Sequence, residues 1–215
     1  MLTTPGAIPD RYPLKIRTGC IFYCDFQETG LKVIDHSGLG HHGVNYGSIP
    51  VTGHGGYVRS FDGVDDYISL GHPSALNAPN AFTLEAWTKA TAIPRGSGVI
   101  AENYVSAVQY ELGYGFNEAV DGSAKAKVGF HVDSNWYLAS DSVDISVNAW
   151  VHILGTWDGT TLKIYKNGVL VGSNVPGATP TASAEPIFIG RRHDSSGSKS
   201  YFPGLIGQVA IYNRA

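Results

Sequence analysis

Three carboxylates, those of Asp62, Asp65 and Asp66, crowd around one turn in residues 61–68, which read FDGVDDYI. Carboxylates at one turn repel one another unless a cation or a set of N–H donors lies among them. They therefore either bind a cation or accept hydrogen bonds from the local backbone, as aspartate does in turns. Because Asp62 precedes Gly63 and Asp66 points away from Asp65 once a strand begins, we favour backbone capping for at least two of the three.

Four histidines, His36, His41, His42 and His54, invite a zinc interpretation. Zinc needs three or four ligands that converge on one point. The adjacent His41 and His42 point apart in an extended chain, and neither a cysteine nor a His-x-His pair lies close by. We therefore expect these loop histidines to bind water or backbone.

Trp136 and Tyr137 are the best candidates for a surface on which a sugar ring stacks, because they follow the turn-like residues 133–135. Aromatic rings with a polar tip suit such amphipathic ligands. Three more tyrosines would extend the platform: Tyr104, Tyr110 and Tyr114. Alternating aromatic residues in β-proteins mostly lie in the core, however, and to the core or its margin we assign Trp87, Trp150 and Trp157.

Arg191 and Arg192 lead into the polar segment 193–200, which reads HDSSGSKS. A guanidinium fork binds carboxylates and other anions, so this pair is a candidate for contact with a glycan or a protein partner. The alternative is that both side chains belong to a solvated loop.

The acids of a glycoside hydrolase should come as a pair, roughly 5–9.5 Å apart across the sugar bond. No ExDxxE cluster of that kind is present, and Glu85, Glu102 and Glu111 stand alone in the sequence. GxSxG, HExxH and phosphate-loop patterns are also absent. The sequence therefore predicts a protein without catalytic residues.

The composition of the 215-residue chain, 43% hydrophobic and 15% charged, is that of a globular domain. A net charge of −3 gives no reason to expect nucleic acid. The sequence has neither an apolar run long enough for a membrane span nor the basic and apolar regions of a signal peptide. Cys20 and Cys24 would lie about 13 Å apart in a strand, so we expect free thiols.

The elements that must position these residues are strands. Residues 1–18, with prolines at positions 5, 9 and 13, predict an extended N-terminal arm, and residues 19–215 one β domain. In FTLEAWTKA, Phe82 and Leu84 alternate with Thr83 and Glu85, which is the period of a half-buried strand. The pair Asn167-Gly168 marks a hairpin. Without any capped helical stretch, the chain is predicted to be all-β, a two-sheet antiparallel β-sandwich of jelly-roll type.

The order of five motifs resembles the laminin-G-like family of concanavalin A-like lectin/glucanase jelly rolls. These motifs are DHSGLGHHG, SFDGVDDYISLG, FTLEAWTKA, NAWVHILGTWDGTTLKIYKNG and FPGLIGQVAIYNRA. The resemblance implies a sandwich of two antiparallel sheets, often with calcium at one edge. It also implies binding of glycans or proteins, usually without catalysis.

The family's metal site draws on an acid in the DxSG loop, which matches Asp35, and on an acid in the last strand. The second position falls on Gly207, followed by Gln208, so one carboxylate is missing. Calcium takes six to eight oxygen ligands, and its affinity follows the number of charged ones. We expect at most a weakened structural calcium site that involves Asp35 and Asp62.

These observations predict a non-catalytic binding or structural module. Because the chain begins with Met and shows neither signal nor anchor, we expect a phage virion surface protein, either a capsid decoration protein or a tail adhesin. Its partners would be glycans or virion proteins, without nucleic acid or membrane, and we expect a homo-oligomer. The alternatives are a carbohydrate-binding module of a larger secreted enzyme or adhesin, and a glucanase remnant.

Overall fold

A computed structural model of the protein describes residues 18–78, 80–92, 96, 98–102, 108–114, 125–132, 135–182, 184–193 and 199–215. The predicted arm, apart from its last residue, lies outside these ranges. So do Tyr104 and most of the polar segment after Arg192.

The described chain is built almost wholly of strands, and its one helical element is a 3-10 turn at Ser74–Leu76. No described helix has the length and apolar character needed to span a membrane. The strands, in chain order, are β1 Cys20–Cys24, β2 Lys32–Val33, β3 Gly43–Tyr46, β4 Ile49–Gly53, β5 Gly56–Asp62, β6 Tyr67–Gly71, β7 Phe82–Ala90, β8 Gly98–Glu102, β9 Val108–Tyr114, β10 Lys125–Val132, β11 Asn135–Asp144, β12 Val151–Trp157, β13 Leu162–Lys166, β14 Val169–Asn174, β15 Ile187–Ile189, β16 Arg191–His193, β17 Lys199–Tyr201 and β18 Pro203–Tyr212.

The strands form two large antiparallel sheets and one small hairpin. The first sheet has the order β14-β13-β12-β7-β18-β5-β4, and β1 also pairs with β18. The second sheet has the order β11-β10-β9-β8-β15-β6-β3-β2, while β16 and β17 pair with each other. This arrangement confirms the predicted two-sheet antiparallel sandwich.

The core lies between the two large sheets, because each sheet turns one apolar face inward. Strand β7 shows the pattern: Phe82, Leu84 and Ala86 are buried, whereas Glu85 and Trp87 lie on the outer face, half-buried. The alternation read from the sequence is therefore confirmed. Trp157 lies in the core as predicted, with 1% of its surface exposed.

Glycine allows the two sheets to approach closely. A Cβ on Gly155 of β12 would lie 2.4 Å from Val128 of β10, and one on Gly172 of β14 would lie 2.0 Å from the carbonyl oxygen of Ser140 in β11. Both distances are far below van der Waals contact, so larger residues would force the sheets apart.

A buried arginine ties one end of the sandwich to its loops. The Arg59 side chain is fully buried, and its terminal nitrogens donate to the carbonyl oxygens of Ser48, Glu28 and Gly30 at 3.4, 2.7 and 2.9 Å. Burial lowers the pKa of this guanidinium, and the nearby Glu28 carboxylate opposes that shift.

Local predictions made from short motifs also hold. Asn167 and Gly168 both have positive φ, 51° and 79°, as the tight turn between β13 and β14 requires. Cys20 and Cys24 are free thiols, as expected. Burial is the main reason that the pKa of Cys20 rises to about 12, so this thiol stays protonated at neutral pH.

Candidate functional site

The FDGVDD turn is held by its own aspartates. Asp62 Oδ1 accepts the backbone N–H groups of Val64, Asp65 and Asp66 at 2.8, 3.2 and 3.4 Å. Asp66 Oδ2 in turn accepts the N–H of Asp62 at 2.9 Å. The prediction that at least two of the three carboxylates cap the turn is therefore confirmed.

The two capping carboxylates have opposite pKa shifts. The hydrogen bond from Val64, together with those from Asp65 and Asp66, lowers the pKa of the exposed Asp62. Burial raises the pKa of Asp66, which lies against Gly47.

Asp35 organises the loop in which it lies. Its buried carboxylate accepts four hydrogen bonds, from Tyr23 N and Ser37 N at Oδ1 and from Ser37 Oγ and His41 N at Oδ2, with lengths of 2.8–3.1 Å. A carboxylate has about four lone-pair positions, and here protein donors fill all of them. Asp35 therefore does not fit the role of a calcium ligand in this arrangement.

The remaining metal-ligand candidates form two small clusters within the described residues: Asp25 with Glu28 and His36, and Asp62 with Asp65 and Asp66. Asp35 belongs to neither cluster, so the structure does not bring the two predicted ligands, Asp35 and Asp62, into one group. The missing acid of the last strand, at Gly207, falls at an irregularity of β18 between Ile206 and Val209. Calcium at Asp62 stays a prediction.

The loop histidines contact the backbone and neighbouring side chains. His41 Nδ1 lies 2.9 Å from the carbonyl oxygen of Ile21, and His42 Nδ1 accepts the N–H of Asp35 at 3.0 Å. His36 lies 3.0 Å from Glu28, and His54 stacks on Trp87 with 4.1 Å between ring centroids. Backbone binding is thus confirmed for His41 and His42.

The two predicted sugar-stacking residues lie on opposite faces of the second sheet. Trp136 is on the outer face, where its ring centroid lies 5.0 Å from that of the buried His131. Tyr137 packs inward, 5.4 Å from the ring of Phe130. Adjacent residues of a strand point to opposite faces, so these two rings cannot form one platform.

Most of the other aromatic residues proposed for that platform lie in the core. Tyr110 and Tyr114 are fully buried, and their hydroxyl groups lie 3.0 Å from Leu76 O and 2.6 Å from Thr88 Oγ1. Of the two alternatives left open by the sequence, a core position is therefore confirmed for Tyr110 and Tyr114. Trp87 and Trp150 are half-buried, and Trp87 faces outward, so it lies at the margin of the core rather than within it.

Arg192 joins Trp136 on the outer face of the second sheet. Its Nε lies 3.1 and 3.3 Å from the two carboxylate oxygens of Glu111, and its guanidinium carbon lies 5.2 Å from the ring centroid of Trp136. Glu111 has 1% of its surface exposed. Burial raises its pKa to about 7, although Arg192 acts in the opposite direction.

Arg191 lies on aromatic rings, and none of the carboxylates that the structure describes forms an ion pair with it. Its guanidinium carbon is 3.9 Å from the ring centroid of Phe188 and 4.5 Å from that of Tyr67. Tyr46 stacks on Tyr67 with the ring centroids 4.6 Å apart. The structure thus places Trp136, Arg191 and Arg192 on the second sheet and its neighbouring hairpin, and excludes Tyr137 from the same surface.

A groove with a volume of about 480 Å³ lies on the outer face of the first sheet. Its lining residues come from neighbouring strands at matching register positions: Thr83 pairs with both Thr156 and Tyr212, and Glu85 pairs with Leu154. Paired residues of antiparallel strands share a face, so these side chains point outward together. The lining consists of Thr83, Glu85, His152, Leu154, Thr156, Tyr165, Gly168, Tyr212, Arg214 and Ala215.

The Glu85 carboxylate is the polar centre of this groove. The Tyr212 hydroxyl donates to Glu85 Oε1 at 3.1 Å, and His152 Nε2 lies 3.6 Å from Oε2. Burial, followed by the negative charge of Glu85, raises the pKa of Tyr212, so its hydroxyl remains a donor. A carboxylate fixed beside aromatic rings and hydroxyl groups is suited to bind a ligand that carries its own hydroxyls.

Sequence reasoning missed this groove, because its residues are spread from position 83 to position 215. The available signal was the polar face of β7, on which Thr83 and Glu85 alternate with core residues. A carboxylate on the outer face of a central strand must contact either water or a polar partner. Only the strand order shows which side chains surround it.

Residues 62–215 match the concanavalin A-like lectin/glucanases superfamily over more than half of the chain. The chain therefore belongs to this family, as its laminin-G-like motifs indicated. No curated protein sequence matches the chain.

Solved structures share the architecture at low sequence identity. Domain 4 of AbnA, a GH43 extracellular arabinanase from Geobacillus stearothermophilus in complex with arabinotriose, is 19% identical with a TM-score of 0.73, and the match covers 90% of this chain and 91% of that one. The binding domain of Paraclostridial Mosquitocidal Protein 1 is 16% identical with a TM-score of 0.69, covering 93% of this chain and 50% of the other.

Botulinum neurotoxin type C, in a study of its interaction with two ganglioside molecules, is 14% identical with a TM-score of 0.69. That match covers 93% of this chain and 49% of the toxin chain. The chain thus spans about half the length of the two toxin chains. At these identities the likeness shows a shared jelly-roll fold.

Proposed function

We propose that this protein is a carbohydrate-binding module and that a glycan binds in the groove of the first sheet. The observation that carries the proposal is the Glu85 carboxylate held between Tyr212 and His152 within a concave site. The groove volume lies within the range of small-ligand sites in proteins, which is roughly 300–1,000 Å³.

Each part of the groove has a role in this proposal. Glu85 accepts hydrogen bonds from sugar hydroxyls, and charged acceptors form stronger bonds than neutral ones. The Tyr165 ring packs against the apolar face of a sugar ring. The Thr156 hydroxyl can donate to and accept from the ligand, whereas the Thr83 hydroxyl at the same register level already donates to Arg214 O at 2.7 Å and can only accept.

The architectural likeness to domain 4 of the arabinanase, whose structure contains arabinotriose, supports a glycan as the ligand class. We further propose that the module is non-catalytic. Glu85 is the one acidic side chain that lines the groove in the described structure, whereas hydrolysis of a glycosidic bond uses a pair of carboxyl groups. Release of reducing sugar from β-glucans would contradict this part of the proposal.

A glycan array followed by calorimetry tests the binding site. Tyr165→Ala removes the stacking ring and should weaken binding about 2- to 12-fold. Glu85→Gln keeps the shape but replaces the charged acceptor with a neutral one, which should weaken binding about fivefold. Tyr57→Ala is the matched control, because Tyr57 is an exposed ring of the same sheet outside the groove.

Two outcomes would overturn the proposal. Absence of binding across the array would contradict glycan recognition altogether. Equal losses of affinity in Tyr57→Ala and Tyr165→Ala would place the ligand elsewhere on the sheet.

The biological context of the module remains a prediction. A virion surface role requires the chain in purified phage particles, where proteomics would detect it, and its absence would refute that role. The alternative, a module of a larger secreted enzyme or adhesin, is favoured by the likeness to one domain of an extracellular arabinanase. Homo-oligomer formation is tested by light scattering coupled to gel filtration.

A further inference from the structure

Three potential metal ligands meet where β1 runs into the loop that follows it. His36 Nε2 lies 3.0 Å from Glu28 Oε1 and 3.4 Å from Asp25 Oδ1, and the three ligand atoms all lie within 4.8 Å of one another. The three side chains are half-buried, with between 14% and 25% of their surfaces exposed. An imidazole distinguishes this cluster from the purely acidic one in the FDGVDD turn.

The backbone brings the three residues together. Asp25 directly follows β1, and the chain turns at the buried Phe26, whose φ is 57°, before it reaches Glu28. The N–H of His36 donates to the carbonyl oxygen of Tyr23 at 2.7 Å, which holds the loop of His36 against β1. The ligand atoms therefore start from fixed backbone positions, as a metal site requires.

The spacing of the ligand atoms suits a small tetrahedral ion. In a tetrahedral site with bonds of about 2.0–2.1 Å, neighbouring ligand atoms are about 3.3–3.4 Å apart. The two distances from His36 Nε2, 3.0 and 3.4 Å, are close to that value. Imidazole and carboxylate together form a donor set that suits zinc, whereas calcium and magnesium prefer oxygen ligands alone.

One carboxylate oxygen of the cluster lacks a donor that a metal would replace. Glu28 Oε2 is shielded from solvent and accepts no hydrogen bond in the part of the chain that the structure describes. A shielded acceptor without a donor is costly, and a carboxylate that binds a metal through both oxygens removes that cost. Asp25 Oδ1 accepts the N–H of Gln27 at 3.4 Å, which leaves a second lone pair for a metal.

The charge of the cluster matches a divalent cation. With a neutral His36, the carboxylates of Asp25 and Glu28 place two negative charges in a half-buried site. Arg59 lies beside Glu28 but donates to its backbone carbonyl oxygen, at 2.7 Å. A protonated His36 supplies one positive charge to the two acids, whereas a zinc ion supplies two.

We propose that Asp25, Glu28 and His36 bind one Zn²⁺ ion, with water in the fourth position, and that the ion ties the end of β1 to the loop of His36. These ligands differ from the positions to which the laminin-G-like resemblance assigns calcium, Asp35 and the last strand. None of them lines the Glu85 groove. The zinc site is thus independent of the proposed function, and either can fail without the other.

Calorimetric titration of the untagged, chelator-treated protein with zinc chloride tests the site. We expect one Zn²⁺ per chain, with Ca²⁺ about tenfold weaker or more. His36→Gln removes the nitrogen ligand and should weaken Zn²⁺ binding about tenfold or more, since even the outer-shell partners of metal ligands contribute about 10- to 100-fold. His54→Gln, the same change at an exposed histidine stacked on Trp87, is the matched control and should bind Zn²⁺ as before.

Asp25→Asn keeps the proposal falsifiable should His36→Gln fail to fold, since it removes the charge of one ligand and keeps its shape. It should weaken Zn²⁺ binding, whereas Asp65→Asn, in the exposed part of the acidic turn, should not. Absence of Zn²⁺ binding by the unmodified protein would overturn the proposal and leave His36 as a protonated partner of the two acids. So would equal affinities of His36→Gln and His54→Gln, or Ca²⁺ binding as tightly as Zn²⁺.

Discussion

Asp35 offers the sharpest test of the site geometry, because a loop organiser and a calcium ligand respond differently to the same substitution. Asp35→Ala removes the acceptor of four hydrogen bonds, one of them from the buried backbone of Tyr23. An unsatisfied buried donor costs about 1–3 kcal/mol, and the two capping bonds from Ser37 N and His41 N about 1 kcal/mol each, whereas the freed Ser37 hydroxyl can turn to water. The expected loss of stability is about 3–5 kcal/mol.

A loss of that size is readily measured by thermal unfolding followed by circular dichroism. For a domain of this length it corresponds to a fall in Tm of about 6–20 °C. Asp35→Asn should also be clearly destabilised, because an amide retains one acceptor oxygen and presents a donor to the remaining N–H groups. Asp65→Asn is the matched control, and as an exposed surface change it should alter stability by less than about 0.5 kcal/mol.

EDTA separates the two roles of Asp35. If its carboxylate serves the loop, chelation leaves the difference between Asp35→Ala and the unmodified protein unchanged. The reasoning is refuted if EDTA lowers the Tm of the unmodified protein as much as Asp35→Ala does and removes the difference between them. The reasoning is also refuted if Asp35→Asn has the same Tm as the unmodified protein. A fall in Tm with EDTA that Asp62→Asn alone abolishes would support the predicted calcium at Asp62.

Asp62→Asn should lower the Tm at pH 7, because backbone hydrogen bonds, first that from Val64, hold the pKa of this carboxyl below its usual 3.8. That contribution is present above pH 3.8 and is lost as pH falls through the lowered pKa, so the Tm deficit should shrink on acidification below pH 3.8. Glu111→Gln should flatten the pH dependence of stability. Because burial raises the pKa of Glu111 from 4.5 to about 7 in the folded protein, its protonated form contributes stability that is fully present below pH 4.5 and is lost as pH rises through about 7. Denaturant unfolding checks this: between pH 5 and pH 8 the free energy of unfolding of the variant should rise relative to that of the unmodified protein by up to about 3 kcal/mol. Gly172→Ala places a Cβ 2.0 Å from Ser140 O and should cost about 1–3 kcal/mol in urea unfolding, whereas Gly30→Ala, with open space around it, should cost far less.

Each of these predictions has a contrary outcome. A Tm deficit of Asp62→Asn that persists unchanged at low pH would mean that its charge is irrelevant to the turn. An unaltered pH slope in Glu111→Gln would show that another group titrates in this range. Equal stability of Gly172→Ala and Gly30→Ala would contradict the close approach of the sheet edges.

Local patterns made the strands and several turns predictable. Phe82 and Leu84 alternate with Thr83 and Glu85, which is the two-residue period of a strand. The face to which each side chain points follows from its position in that alternation alone. Asn167-Gly168 and Asp62 act through dihedral preferences and hydrogen bonds that span a few residues. Such features need no knowledge of the remaining chain.

The structure does not support the prediction that Trp136 and Tyr137 form one stacking surface. Two residues that are adjacent in a strand point to opposite faces of the sheet. Tyr110 and Tyr114 were ambiguous for a related reason. An aromatic residue in a strand of a sandwich faces core or solvent, and the choice depends on which face the opposing sheet covers.

The sequence by itself determined the all-β class, the family motifs and the turn-capping role of the FDGVDD aspartates, because these depend on interactions over a few residues. The tertiary structure alone decided where the candidate binding groove lies. The groove unites Glu85, His152 and Tyr212. These residues meet through strand order and register, which are set by the packing of the whole core.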